Sequence, residues 1–133
     1  MFFFFLEKYD LILIEDTCES MGSKYDGKTL GNFGDFGTYS LYYSHHITSG
    51  EGGVVTCKTL EDYNLLLCLR AHGWTRHLTN REEVEHKYAT EGMDSRFCFI
   101  NAGFNFRPMS IQAAMARFVD MILVVHICLS KCI

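Results

Sequence analysis

The sequence predicts an α/β fold, on three observations. Leu11 to Ile14 is an unbroken apolar run of four that stops at Glu15 and Asp16, as in a strand buried on both faces of a parallel sheet. Val54 to Cys57 is a second short strand, and Thr59 with Asp62 three residues on starts a helix. Between them Gly34 to Gly53, GDFGTYSLYYSHHITSGEGG, holds a turn, a strand and a second glycine-rich turn around two adjacent histidines.

In chain order, Met1 to Phe5 is followed at once by Glu7 and Lys8. It is far short of the roughly 20 apolar residues of a membrane span, as is Met121 to Leu129. Asp26-Gly27, within the turn-rich stretch Tyr25 to Gly31, is the strongest hairpin signal in the chain. Tyr39, Ser40, Leu41, Tyr42 and Tyr43 favour extended backbone. The helix from Thr59 puts Leu60, Tyr63, Leu66 and Leu67 on an apolar face and closes at Gly73. From Trp74 to Phe97 the chain is polar with poor periodicity, which predicts a long surface excursion with at most one helical turn. Pro108 before Ser110 predicts a helix capped by Ser110.

The 133 residues are 48% hydrophobic, enough for a core. Twelve basic against sixteen acidic residues give a net charge of −4 and no basic stripe, so a small-molecule protein of the cytoplasm fits better than a partner of nucleic acid or membrane. Cysteines 18, 57, 68, 98, 128 and 132 form no CxxC pair and are expected reduced and mostly buried.

The carboxyl edge of an open α/β sheet is where ligands bind. Asp16 stands there in the predicted order, either as a ligand-facing carboxylate or as the N-cap of a following helix. His45 and His46 are suited to moving protons near neutral pH, or are structural turn residues. Neighbours on a strand face opposite ways, so the two do not suggest a shared metal, and no other metal-ligand spacing is present. Ser40 alone is a strand hydroxyl, and Asn105 a turn asparagine that tolerates left-handed backbone.

Taken together, Ile14 to Met21 (IEDTCESM), the Gly34–Gly53 stretch and Gly103 to Met115 (GFNFRPMSIQAAM) resemble, in order, the motifs of the DegT/DnrJ/EryC1/StrS sugar aminotransferase family. The resemblance implies a fold type I enzyme of pyridoxal 5′-phosphate (PLP), with a mixed, mostly parallel sheet. It covers about residues 11–115, so that 1–133 is expected to be a fragment of the large cofactor-binding domain with an atypical tail over 116–133. By the same resemblance Asp16 pairs with the cofactor's pyridine nitrogen, Glu19 lies near its ring, and Ser40 contacts its phosphate. Asn105 would reach the phosphate of a neighbouring subunit, which implies a homodimer. Most of the family has its Schiff-base lysine where this chain has His45, and no lysine occurs between Lys28 and Lys58. Histidine there is similar to the family's dehydratase branch. That branch uses glutamate to form pyridoxamine 5′-phosphate and removes the C3 hydroxyl of a nucleotide-linked 4-keto-6-deoxysugar. The iron–sulfur relatives carry clustered cysteines that the stretch from Cys68 to Cys98 lacks. The alternatives are an amine-transferring member of the family and a non-catalytic remnant.

Overall fold

The structure, a computed structural model, describes residues 2–89 and 92–119. They divide into two compact units, one of residues up to Cys57 together with those from Pro108, the other Lys58–Arg107.

The first unit opens with helix α1 (Phe2–Tyr9) and carries strands β1 (Ile14–Asp16), β2 (Lys24–Tyr25), β3 (Lys28–Thr29), β4 (Phe36–Ser40) and β5 (Gly53–Cys57). Its sheet is mixed, in the order β1-β4-β5: β1 runs parallel to β4, with Asp16 opposite Thr38, and β5 runs antiparallel to β4, with Gly53 opposite Ser40. The β2–β3 hairpin forms at Asp26-Gly27 as expected. Both turn residues have positive φ, 50° and 76°, the geometry that matches the twist of flanking strands.

The strand expected over Leu11–Ile14 begins only at Ile14. Asp10 takes φ 50° and the Leu11 N–H closes α1 on the Leu6 carbonyl. The Leu13 N–H goes to the Asp35 carboxylate and not to the ladder. Nor is the run buried: Leu11, Ile12 and Ile14 are all more than half exposed. The extended run expected to Tyr43 ends at Ser40, whose Oγ accepts from the Tyr42 N–H, and the Tyr42 carbonyl then accepts from the His45 N–H. Helix α4, residues 110–119, begins at Ser110 and is not capped by it. Gln112 Oε1 instead accepts from the Met109 N–H at 2.9 Å, the return half of a capping box.

The second unit contains α2 (Leu60–Leu69) and α3 (Arg81–Tyr88). Thr59 caps α2, accepting from the Asp62 N–H at 3.0 Å as expected. The buried residues of α2 are Leu67 and Cys68, however, while Leu60 and Tyr63 are exposed. Leu67 and Cys68 pack with Leu78, Val84 and Ile100 as the core. Gly73 sits at φ +88° and donates to the Cys68 carbonyl. Trp74–Phe97 is more structured than an excursion, with 3₁₀ turns at Thr75–His77 and Ser95–Phe97 flanking α3. Thr75 is fully buried; its Oγ1 lies 2.8 Å from Glu85 Oε1 and 3.2 Å from the Cys98 carbonyl. That polar network tethers a helix with no buried residue of its own, so hydrophobic periodicity could not reveal it.

Cys68 and Cys98 are buried, Cys18 and Cys57 half-buried; Cys128, Cys132 and the run Met121–Leu129 lie outside the described residues. Among the described residues no helix is long and apolar enough to cross a membrane.

Candidate active site

Parallel pairing of β1 and β4 brings their carboxyl ends to one edge of the sheet. Asp16, Ser40 and the 41–52 loop carrying His45 therefore gather at that edge, where the sheet's topology favours a ligand.

Asp16 is exposed. Its Oδ1 accepts from the Cys18 N–H at 3.2 Å and caps a turn, not a helix, since 17–20 is not helical. The Cys18 side chain, the Cys18 N–H, the Thr38 hydroxyl and the charge of His45 hold the Asp16 carboxyl below its ordinary pKa, so it stays ionised. The same contact pushes the Cys18 thiol up. Thr17, buried, ties this turn to β4 through its N–H and Oγ1, both donated to the Thr38 carbonyl at 3.0 and 2.7 Å.

His45 is mostly buried, with 18% of its side chain exposed, and its Nε2 lies 3.9 Å from Glu19 Oε1. The Tyr42 ring meets the imidazole edge-on at 5.6 Å. Its Nδ1 is buried without a hydrogen-bond partner among the described residues. His46 is exposed. The two histidines do face different environments, but by virtue of a turn: 43–47 is no strand.

Several residues hold this site through contacts that were not foreseen from the sequence. The Glu15 carboxylate accepts from the N–H groups of Gly31 at 2.8 Å, Phe33 at 2.5 Å and Gly34 at 2.6 Å, so this neighbour of Asp16 organises a loop. Ser49, buried, donates its N–H to the Leu41 carbonyl and its hydroxyl to that of Glu51. Gln112 Nε2 also donates to the Glu51 carbonyl, at 3.2 Å. The glycines at 31, 34, 50 and 52 were the visible trace of these contacts, which themselves span up to 61 residues.

Asn105 belongs to the second unit. It is bridged to Ala71 and its Oδ1 accepts from Arg107 Nε at 3.0 Å. It is not left-handed, since the non-glycine residues of positive φ among those described are Asp10, Asp26 and His72.

Comparison with known proteins follows the same lines. The chain is 43% identical over 106 residues to the GDP-4-keto-6-deoxy-D-mannose 3-dehydratase of Escherichia coli O55:H7, across 80% of this chain and 27% of that protein. It is 41% identical over 106 residues to the GDP-perosamine synthase of Escherichia coli O157:H7, across 80% of this chain and 24% of that protein. The fold matches a crystal structure of GDP-4-keto-6-deoxymannose-3-dehydratase with a trapped PLP-glutamate geminal diamine, with a TM-score of 0.74 and 40% identity over 85% of this chain and 29% of that one. The chain thus spans 24% to 29% of the length of these relatives. With the model of the family matching residues 5–119, the chain belongs to the DegT/DnrJ/EryC1/StrS aminotransferase family.

Proposed function

We propose that the full-length protein is a PLP/PMP-dependent 3-dehydratase of a nucleotide-linked 4-keto-6-deoxysugar, in deoxysugar or cell-surface polysaccharide synthesis. We read it as a cytoplasmic homodimer with glutamate as amino donor, and residues 1–133 as a fragment of its cofactor-binding domain. The observation that carries this reading is His45, mostly buried beside Glu19, in a stretch without lysine from Lys28 to Lys58; we read it as standing at the family's lysine position.

The residues present fit the cofactor. An exposed carboxylate kept anionic at the sheet edge suits a protonated pyridine nitrogen, and Asp16 is one. Glu19 would lie near the ring; Ser40 and, across a subunit boundary, Asn105 would hold the phosphate. Once bound, the cofactor supplies an electron sink beside the sugar carbonyl. His45 has one nitrogen placed to exchange a proton: Nδ1 is buried, whereas Nε2 faces Glu19. Glu19, 79% exposed, stands 3.9 Å from that nitrogen. A histidine imidazole can take and return a proton there. It cannot serve as the amine that anchors the cofactor covalently.

A second reading, transfer of an amine to the keto sugar, is favoured by the similarity to GDP-perosamine synthase. Products separate the two. A glutamate-charged full-length enzyme given keto sugar should release ammonia and a 3-deoxy keto sugar. His45→Asn should lower that rate by roughly two to four decades, the worth of a positioned acid–base group. His46→Asn should change it less than about threefold. An aminosugar product, or loss of activity in His46→Asn with His45→Asn unaffected, would overturn the reading.

A further inference from the structure

The loop from Leu41 to Gly52 closes on itself. The Leu41 N–H donates to the Gly52 carbonyl at 2.9 Å and the Ser49 N–H to the Leu41 carbonyl at 3.0 Å, so its two ends lie together, as in a compact Ω-type loop. His45 stands between them, with its N–H donated to the Tyr42 carbonyl at 3.1 Å. The imidazole has only weak ties of its own: Nδ1 has no hydrogen-bond partner among the described residues, and Nε2 stands 3.9 Å from Glu19 Oε1. Where the ring sits therefore follows from how the loop is held.

One carbonyl gathers the closing contacts. The Glu51 carbonyl accepts from the Ser49 hydroxyl at 2.8 Å, within the loop, and from Gln112 Nε2 at 3.2 Å, on α4; the two donors fill its two lone pairs. Gln112 is half-buried, while its neighbours from Pro108 to Met115 are exposed. Its amide is used at both ends, because Oε1 accepts from the Met109 N–H at 2.9 Å. A donor on one side and an acceptor on the other leave that amide a single orientation. Starting the helix needs only an acceptor, which glutamate supplies as well as glutamine does. The donor to the loop is what the amide adds.

We propose that Gln112 is a positioning residue for His45: through the Glu51 carbonyl it holds the 41–52 loop, and with it the imidazole, in place. The proposal rests on the reading above for the reaction it serves, so its first readout needs no turnover. In the full-length, cofactor-loaded enzyme, Gln112→Glu keeps the acceptor for Met109 but turns a carboxylate oxygen toward the Glu51 carbonyl in place of the donor. Deuterium exchange of the peptide covering 41–52 should quicken roughly tenfold, the worth of one hydrogen bond in a local opening. The peptide covering 110–119 should stay within about twofold of wild type, since the helix start is intact. Gln112→Ala, which loses both bonds, should quicken exchange in both peptides. In Gln112→Glu the kcat for dehydration should fall roughly tenfold with KM for the keto sugar within about twofold, as when a group that acts in the transition state is displaced.

Unchanged exchange over 41–52 in Gln112→Glu would overturn the proposal. So would an equal rise over 41–52 and 110–119, because Gln112 would then serve the fold alone. Quickened loop exchange at full kcat, or a raised KM with kcat unaltered, would overturn it as well, since the imidazole's place would not depend on the clamp. An aminosugar product would sink the dehydratase reading and leave the exchange result standing, whereas a wild-type exchange pattern in Gln112→Glu would leave the products of the His45 experiment untouched.

Discussion

Adjacent carboxylates at the end of β1 serve different ends because a strand sends successive side chains to opposite faces. Asp16 stays exposed at the carboxyl edge of the sheet, whereas Glu15 turns in and gathers three backbone N–H groups of the 31–34 loop. Those hydrogen bonds, with the charge of Lys28, outweigh the burial that opposes them and hold the Glu15 pKa below its ordinary 4.5. A group with a depressed folded pKa stabilises the fold above its unfolded value and loses that contribution as pH falls through the folded one. Glu15→Gln should therefore cost about 1–2 kcal/mol near pH 7, the value of hydrogen bonds to a charged acceptor discounted for partial exposure. The gap between wild type and variant should close as pH drops below about 4.5, read by chemical denaturation across pH. A difference independent of pH would mean the carboxylate's charge is not what holds the loop. Nothing local in the sequence marks Glu15 for this, since its partners lie 16 to 19 residues away. The position of Asp16 at the end of the strand, by contrast, could be read from the apolar run before it.

Among the elements, those with local causes were legible and those with distant causes were not. Asp26-Gly27 demanded a hairpin by its own backbone preferences, and Thr59 capped α2 through a neighbour three residues on. The start of β1 was misplaced because the Leu11 and Leu13 N–H groups are claimed by α1 and Asp35, and α3 was missed because Thr75, Glu85 and Arg81 hold it together with the half-buried Val84, too little for an apolar periodicity. Two glycines separate backbone strain from collision. Gly27, at φ +76°, has open space where a Cβ would go; Gly73, at φ +88°, would drive one into the Asn101 backbone. Gly27→Ala should cost about 1 kcal/mol from the left-handed conformation alone. Gly73→Ala should cost at least twice that, because the segment must also move, measured as a fall in Tm in thermal melts. Equal costs would show that the contact between residues 73 and 101 is dispensable.

For the whole molecule, the exposed aromatics and aliphatics of α1, β1, β5 and α4 matter most: Phe4, Ile14, Val55, Ile111 and Phe118 are each about half exposed or more. A monomer rarely leaves such surface in water. The 133-residue chain alone should bind a hydrophobic dye, aggregate above micromolar concentration, and bind PLP weakly or not at all. A dye-negative chain that remains monomeric and binds PLP at micromolar levels would contradict this. The central claim, that His45 in place of the family's lysine decides the reaction, is tested most directly in the full-length enzyme by His45→Lys. The account predicts that borohydride then fixes the cofactor covalently to position 45, located by peptide mapping, while dehydration falls by roughly two to four decades. Full dehydratase activity in His45→Lys would contradict it.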